Sequence, residues 1–397
     1  MANETDQDWS GLRFGTFISP FHPVWENAAL LIDRDMRIVT HMDQLGFHEA
    51  WIGEHHSGGM ETIPSPELFI AGVAERTQRI RLGTGVVSLP YHHPLTVADR
   101  IMQLDLQTRG RLIFGIGPGS LPSDVHMFGR DPLRIRDIAA EMLEAVLRLL
   151  RGEVVTAEGD GWKLVDARCQ LPPYGARHCE VVVAATASPY GPRLAGKHGA
   201  GLLSIAATTQ GGFEALANNW SIWSGEAALN GHRVERSQWR VVGPVHIAET
   251  REQAIRDVAY GLPEWVRYFG RVSALPIAAT PDDSLETMAR AMVESGLAVI
   301  GTPDDLIAKI ETLWNRSGGF GSWLNLATDW ADFDRTLNSY SLIARHVMPH
   351  FTDAGRKRYE SMEWAAENRG TFLGARADAV KQEAARWDAE KTRRQGT

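Results

Sequence analysis

A glutamate and two histidines stand together directly after a short apolar run, and their residue types suit them to proton transfer or ligand binding. Residues 50–52 are apolar, and Glu54, His55 and His56 follow them. This pattern predicts a buried strand that delivers a carboxylate and two imidazoles to its carboxyl end, where barrels of parallel strands keep catalytic groups. Because side chains alternate along a strand, we expect Glu54 and His56 on one side and His55 on the other.

The composition limits the classes of protein to which the chain can belong. It has 397 residues, 44% of them hydrophobic and 23% charged, which is ordinary for a soluble domain with a large core. The 41 basic and 49 acidic residues give a net charge of −8, which disfavours nucleic acid as a partner. Cys169 and Cys179 are the only cysteines, and their spacing suits a reducing cytoplasm rather than a disulfide framework.

The two usual signals for export or membrane insertion are missing from the sequence. The first residues, Met-Ala-Asn-Glu-Thr-Asp-Gln-Asp, are polar and acidic, which is not the pattern of a signal peptide. No apolar run approaches the ~20 residues that a membrane helix needs. We therefore expect a cytoplasmic protein that works without a membrane.

Apolar strands alternate with helices along most of the chain. The predicted strands are residues 12–19, the run that ends at Glu54, 80–89, 111–116, 180–185, 201–205, 239–248 and 322–327. Helix starts are marked by Ser65-Pro66-Glu67 and by Thr302-Pro303, which combine a capping side chain with a proline at the first helical position. This alternation predicts an α/β protein with a (β/α)8 TIM barrel. No G-x-G-x-x-G follows the first strand, which disfavours an open dinucleotide-binding sheet.

Two segments depart from this alternation, and a third extends it. Residues 153–170 predict a hairpin. Residues 261–297 have the weakest pattern and are predicted to be an insertion in a barrel that spans residues 1–352. Residues 353–397 are charged and helical, and we predict a C-terminal extension there.

Glycines and small polar residues end other predicted strands on the same face as Glu54. Residues 117–119, Gly-Pro-Gly, allow a flat or phosphorylated ligand to approach the backbone closely. Residues 186–188, Thr-Ala-Ser, precede a helix start, where N–H groups favour phosphate. Together they indicate a phosphorylated planar cofactor over the barrel mouth. The alternative is that the glycines only pack and that residues 186–188 only cap a helix.

Ordered motifs across residues 12 to 350 make the chain resemble the bacterial-luciferase-like flavin-dependent monooxygenases, in the subgroup related to limonene monooxygenase. The motifs are Glu54-His55-His56, the run from Arg81 to Pro90 with His93-Pro94, Gly110-Arg111 leading into Phe114 to Gly119, Val183 to Ser188, and Gly301-Thr302-Pro303. Each motif alone is weak, whereas their joint order is specific to this family.

The resemblance implies roles for individual residues. His55 matches the family's active-site histidine, which acts in proton transfer, and Glu54 beside it is expected to be the second catalytic residue. Gly85-Val86 matches a non-proline cis peptide beneath the flavin ring. Pro118 stands where luciferase has a phosphate-binding arginine, so another group must neutralise the phosphate. The expected cofactor-binding residues are Thr84, Gly85, Val86, Gly117, Pro118, Gly119, Arg136 (or Arg134 in a shifted register), Thr186, Ala187 and Ser188.

The resemblance also implies a reaction and its partners. A separate flavin reductase supplies reduced FMN, which reacts with O2 at C4a and oxygenates an apolar small molecule such as a cyclic terpene, ketone or polyketide-like compound. A histidine with a pKa near ~6.5 suits control of protonation during that reaction. His22 and His56 are expected in the substrate pocket. A mobile lid is expected at residues 261–297, and a homodimer is expected to pack through the Ser65 and Pro94 helices.

Three other interpretations remain open beside this one. A deazaflavin-dependent dehydrogenase shares the fold, and a non-catalytic flavin-binding partner subunit is conceivable, although the presence of His55 argues against it. Histidine-rich strand ends also build zinc sites, with Asp329 as a late ligand. The chain has no H-x-H pair and no bridging lysine at a strand end, so we expect no metal. Without its motif, His55 fits a buried, hydrogen-bonded structural histidine.

Overall fold

Parallel strands closed into a barrel form the frame of the molecule. A computed structural model describes residues 9, 11–19, 21–273, 277–352 and 354–395. Its strands are β1 (Arg13–Ile18), β2 (Glu49–Ile52), β3 (Arg81–Thr84), β4 (Val87–Ser88), β5 (Leu112–Gly117), β6 (Val155–Gly159), β7 (Trp162–Ala167), β8 (Glu180–Ala185), β9 (Gly201–Ser204), β10 (Trp239–Ile247), β11 (Val299–Gly301) and β12 (Ser322–Ala327). Strands β1, β2, β3, β5, β8, β9, β10 and β12 pair in that order, in parallel, and β12 closes onto β1. The predicted (β/α)8 barrel is confirmed.

The predicted strands lie close to their expected positions. The third one is split into β3 and β4 by Gly85-Val86, and β4 pairs with the end of β5. The predicted hairpin at residues 153–170 is the antiparallel pair β6–β7. Strand β11 adds to the outside of the barrel by pairing with the last residues of β10.

Helices alternate with the barrel strands, and further helices follow the last strand. They are α1 (Ala28–Leu45), α2 (Pro66–Ala74), α3 (Pro94–Gln107), α4 (Pro122–Met127), α5 (Ile135–Leu150), α6 (Tyr190–Lys197), α7 (Gln210–Leu229), α8 (Arg251–Asp257), α9 (Leu262–Arg271), α10 (Leu285–Glu294), α11 (Pro303–Ser317), α12 (Phe333–Leu342), α13 (Met348–Thr352), α14 (Arg356–Glu367) and α15 (Arg369–Gln395). Ser65 accepts a hydrogen bond from the Leu68 N–H, and Thr302 forms a capping box with Asp305, so both predicted helix starts are confirmed.

Side chains from seven of the eight barrel strands fill the barrel rather than leaving a channel. The cluster consists of Phe17, Trp51, Ile113, Val182, Leu203, Val242 and Leu324. Trp51 is fully buried, and glycines at positions 83 and 115 make room for it. A Cβ at Gly83 would lie 2.7 Å from the Trp51 ring, and one at Gly115 would lie 2.8 Å from it. The packed interior confines any ligand to the ends of the strands.

The weakly patterned segment 261–297, where a mobile lid is expected, contains two helices, α9 and α10. Leu262, Trp265, Val266 and Phe269 are buried on one side of α9, at the i, i+3, i+4, i+7 spacing of an amphipathic helix. The helix has only 10 residues, so this spacing repeats too few times to stand out in the sequence. Both helices pack in one aromatic cluster with residues from the strand ends, including Trp330.

The chain divides into two compact units, Met1–Met348 and Pro349–Thr397. The first contains the barrel and the insertion. In the second, α14 and α15 contain no buried residue, in keeping with the expected charged helical extension. Most of the predicted polar lead-in at residues 1–11 lies outside the described residues. Of the helices described, none is both long and apolar enough to cross a membrane.

Candidate active site

The Glu54-His55-His56 run leaves the barrel just after β2 and separates into two hydrogen-bonded groups. Glu54 and His56 bond to each other, because His56 Nε2 donates to Glu54 Oε1 at 2.9 Å. The His55 ring lies between two other carboxylates. Glu54 and His56 therefore lie together and apart from the partners of His55, as the predicted alternation requires.

Glu54 is buried and organises the neighbouring turn. It accepts hydrogen bonds from His92 Nε2 at 2.7 Å and from the Ser88 backbone N–H at 2.7 Å, in addition to His56. Burial raises the pKa of Glu54, but the hydrogen bonds from His56 and His92 outweigh it and the pKa is lowered. Glu54 thus stays ionised and holds the β3–β4 segment that contains Gly85-Val86.

His55 is clamped between Glu61 and Asp124. Its Nε2 lies 2.8 Å from Glu61 Oε2, and its Nδ1 lies 3.3 Å from Asp124 Oδ2. Since both ring nitrogens face carboxylates, both carry protons and the ring is an imidazolium. Burial lowers the pKa of His55, but Glu61 and Asp124 outweigh it and raise the pKa to about 10. The expectation of a pKa near ~6.5 was wrong, because it took no account of these two partners.

The peptide bond between Gly85 and Val86 is cis, as the resemblance implied. A Cβ at Gly85 would lie 2.8 Å from the Phe17 ring, and a Cβ at Gly117 would lie 2.9 Å from Val86 Cγ2. The turn after β3 and the end of β5 are therefore in close contact. Thr84 is buried, and its hydroxyl both donates to the Gly115 carbonyl and accepts from the Gly115 N–H, so that hydroxyl joins the two strands.

The glycine turn after β5 surrounds an unsatisfied polar atom. Gly119 has a φ of 84°, and a Cβ there would lie 2.3 Å from the Tyr91 hydroxyl. Within the described residues that hydroxyl is buried and has no hydrogen-bond partner. A buried hydroxyl without a partner is costly, and a polar ligand seated on the Gly117–Gly119 turn would satisfy it.

The segment expected near a phosphate is accessible. Thr186 and Ala187 are exposed and Ser188 is half-buried, between β8 and α6. The Arg136 guanidinium lies 5.9 Å from the centre of the Tyr190 ring at the start of α6, and the Tyr190 hydroxyl donates to the Arg136 carbonyl. Arg136 and residues 186–188 therefore belong to one neighbourhood, and the residues present fit a planar phosphorylated cofactor. Arg134 instead lies 4.0 Å from Asp137.

His22 lies in a buried ion-pair cluster. Its Nε2 is 2.8 Å from Asp35, its Nδ1 is 2.5 Å from Asp329, and Arg34 contacts both His22 and Asp329. Burial lowers the pKa of His22, but the two carboxylates outweigh it and raise the pKa to about 9. Asp329, the candidate late ligand of a zinc site, is thus engaged in this cluster.

The sequence analysis did not single out Glu61 and Asp124, the two carboxylates that face His55, or Tyr268, whose hydroxyl donates to Glu61 Oε1 at 2.9 Å. Asp124 had a detectable signal, since it follows the glycines that end a predicted barrel strand. Glu61 lies in the same loop as His55, but its sequence neighbourhood has no recognisable motif. Tyr268 lies in the segment of weakest pattern, so its position could come only from the folded insertion.

The chain is similar in sequence to known proteins. A family model described as luciferase-like monooxygenase matches residues 12–320. Limonene 1,2-monooxygenase of Rhodococcus erythropolis is 46% identical over 344 residues, with 87% of this chain and 88% of that protein covered. The 4-hydroxyprotoasukamycin monooxygenase of Streptomyces nodosus subsp. asukaensis is 43% identical over 363 residues, with 90% and 96% covered.

A solved structure extends the likeness to three dimensions. It is the oxygenating constituent of 3,6-diketocamphane monooxygenase from Pseudomonas putida, a type II Baeyer–Villiger monooxygenase in complex with FMN. The TM-score is 0.70 at 27% identity, with 85% of this chain and 98% of that chain covered. The family model and the sequence likeness show that the chain belongs to the luciferase-like monooxygenase family and is a flavin-dependent monooxygenase.

Proposed function

We propose that this protein is the oxygenase component of a two-component monooxygenase, which uses O2 and FMN reduced by a separate flavin reductase to oxygenate an apolar cyclic small molecule. The observation that carries the proposal is the charged His55 on the same barrel face as the glycine turns at Gly85 and Gly117. A fixed proton donor beside a cradle for a flat ligand suits oxygen transfer, in which negative charge develops on oxygen.

The cofactor would be held by two groups of residues. The Gly85-Val86 turn and the Gly117–Gly119 turn would support the flavin ring, and Thr186, Ala187, Ser188 and Arg136 would hold the phosphate. Arg136 would provide the positive charge that Pro118 lacks. When bound, reduced FMN supplies the two electrons that activate O2.

His55 would hold a proton on each ring nitrogen, and its positive charge would stabilise negative charge near the cofactor. Glu54 would keep the Gly85-Val86 turn in place, and His56 would border the pocket, where its ring packs edge-on against Phe128 at 4.8 Å. His22 would form the floor of the pocket through its buried cluster. These groups would set the polar side of the site.

The apolar side of the site would come from the insertion. Trp265 and Phe269 of α9 pack with Phe21 and Trp330 in an aromatic cluster next to Tyr268, which itself reaches the His55 network. Such a wall excludes water and accepts a compact hydrocarbon skeleton. The relatives' names specify limonene, a hydroxyprotoasukamycin and a diketocamphane, so we propose a cyclic terpene, cyclic ketone or polyketide-like substrate.

The family likeness also supports a homodimer. We propose that α2 and α3 form the contact between subunits, because Leu68 on α2 is 76% exposed and a large apolar side chain is better covered. Sedimentation of the purified chain would give its mass in solution, and Leu68→Glu should shift a dimer to the monomer.

Oxygenation is tested directly with isotopic oxygen. The purified chain is supplied with FMN, NADH, a flavin reductase and 18O2, and limonene and a bicyclic ketone are offered as substrates. Mass spectrometry should find one 18O atom in a product. His55→Ala should lower that rate by about 10²–10⁴-fold while the dissociation constant for FMN stays the same. An unchanged rate in His55→Ala would remove His55 from the mechanism.

The same experiment separates the alternatives. Tight binding of a deazaflavin in place of FMN, with no 18O in any product, would identify a dehydrogenase. Product that forms only after a second, different chain is added would identify a partner subunit.

A further inference from the structure

A chain of hydrogen bonds joins the insertion to His55. Tyr268 lies on α9 and is 5% exposed, and its hydroxyl donates to Glu61 Oε1 at 2.9 Å. The other oxygen of this carboxylate, Glu61 Oε2, lies 2.8 Å from His55 Nε2 and accepts from the Ser19 hydroxyl at 2.5 Å. One carboxylate therefore connects α9, the end of β1 and His55.

The Glu61 carboxylate depends on these three donors. It is 8% exposed, and a buried carboxylate that loses a donor pays a large desolvation cost. Of its three partners, Ser19 and Tyr268 are neutral and His55 carries the compensating positive charge. The position of the Glu61 carboxylate therefore sets the distance between Glu61 and the His55 ring.

The carboxylate on the other side of the His55 ring is anchored differently. Asp124 accepts hydrogen bonds from the His56 backbone N–H and from the Ser57 hydroxyl, which belong to the same loop as His55. Both donors are therefore on the loop of His55 itself rather than on α9. The distance from Asp124 to the ring, 3.3 Å, is also longer than the 2.8 Å of Glu61. Glu61 is therefore the closer partner and the one whose anchor lies on another element.

We propose that Glu61 is a positioning residue for His55 and that Tyr268 lets α9 control it. While α9 is packed in place, the Tyr268 hydroxyl holds Glu61 against His55 Nε2, and the ring is fixed and protonated. When α9 moves away, Glu61 loses this donor and His55 loses its closer carboxylate. The packing of the insertion, which would also line the substrate pocket, thereby sets the state of the histidine. The inference rests on the proposed function for its catalytic consequence, but not for the contacts.

The charged groups around His55 define what a titration would measure. Glu61 approaches from the loop before α2, Asp124 from α4, and His56 is adjacent in the chain with Glu54 as its own partner. Tyr268 approaches Glu61 from α9. Removing the charge of Glu61 leaves Asp124 as the remaining carboxylate on the ring.

Three variants test the connection by NMR titration of 15N-labelled histidine, with His55→Asn to assign the signal. In Glu61→Gln, which is isosteric and neutral, the midpoint for His55 deprotonation should fall by at least about one pH unit. Each such unit lowers the protonated fraction at alkaline pH about tenfold. Tyr268→Phe should shift the midpoint in the same direction by a smaller amount. Glu61→Asp, which keeps the charge, should recover most of the wild-type midpoint.

A matched control comes from the same segment. Tyr260 also donates its hydroxyl to a carboxylate, Glu26 at 2.5 Å, but that pair does not contact His55. Tyr260→Phe should therefore leave the His55 midpoint unchanged. Tyr268→Phe keeps the ring that packs against Phe21 and Phe269, so it tests the link independently of whether Glu61→Gln folds.

The oxygenation rate gives a second readout. The alkaline limb of the pH–rate profile should move to lower pH in Glu61→Gln, because His55 then loses its proton earlier, and the rate should recover as the pH is lowered. A purely structural role for Glu61 would lower the rate equally at all pH values. That result, or a His55 midpoint that is the same in wild type, Glu61→Gln and Tyr268→Phe, would overturn the proposal. If instead the midpoint shifts as expected but His55→Ala still oxygenates, the connection stands and the proposed catalytic role of His55 fails.

Discussion

The two ends of the barrel both bury charged side chains, but they pair them in different ways. At the amino ends of the strands, Arg240 is fully buried and donates to Glu49 at 3.0 and 3.1 Å and to Glu180 at 2.5 and 3.0 Å. At the carboxyl ends, His55 and His22 each lie between two carboxylates. The amino end therefore pairs its carboxylates with arginine, whereas the carboxyl end places a histidine in each cluster, with Arg34 joining the His22 cluster.

The two cations differ in whether they can exchange a proton, so arginine suits a stabilising role and histidine suits a catalytic one. An arginine remains protonated at every pH at which the protein is folded, so the Arg240 cluster has a fixed charge and only holds β2, β8 and β10 together. A histidine between carboxylates gains a raised pKa and a fixed orientation, yet it keeps a proton that can be exchanged. Active sites of (β/α)8 enzymes lie at the carboxyl ends, where this chain places its histidines.

The largest expected effect is on stability, at the amino end. Arg240→Met should lower the free energy of unfolding by about 3–5 kcal/mol, because Glu49 and Glu180 are left buried without a cation. Urea unfolding followed by tryptophan fluorescence measures it. The control is Arg100→Met, which removes a half-exposed guanidinium 3.7 Å from Glu67 and should cost less than about 1 kcal/mol. An equal loss in both variants would contradict the difference between the two ends.

The next effect is a dependence of stability on alkaline pH. The folded-state pKa values of His55 and His22 are raised to about 10 and about 9, above the unfolded value near ~6.5. Their stabilisation is therefore complete below pH ~6.5 and is lost as the pH rises through the folded-state values. We expect the free energy of unfolding to fall over that range, by on the order of 1–2 kcal/mol for each histidine.

Variants assign this alkaline decline to one end of the barrel. Unfolding measured at several pH values should show a smaller decline in His55→Asn and an unchanged decline in Arg240→Met. The same decline in all three proteins would mean that other groups titrate, and that the carboxyl end has no special sensitivity to pH.

The smallest expected effect comes from a residue that lies at the carboxyl end of the barrel but takes no part in the proposed chemistry. Ser65 caps α2 on the same side as His55, and Ser65→Ala should cost about 1 kcal/mol without changing the oxygenation rate. Ser65→Asn should retain the stability, because asparagine is an equally good cap. A loss of rate in Ser65→Ala that Ser65→Asn does not restore would give Ser65 a role in the site.

Local signals were enough to locate the elements and the central residue. The strands at residues 13–18, 180–185 and 322–327 follow from apolar runs, and the starts of α2 and α11 follow from caps and prolines within a few residues. His55 was found because its neighbours in the sequence form a motif. Such signals depend only on residues that are close together in the sequence, so they can be recognised without knowledge of the fold.

The tertiary structure alone decided the chemistry of that residue. Asp124 is 69 positions from His55 and Asp329 is 307 positions from His22, and these pairs meet because the barrel closes. The pKa of a histidine depends on charges within a few ångströms, which sequence distance does not specify. The sequence by itself therefore determined where the imidazole stands, whereas the tertiary structure determined which carboxylates face it.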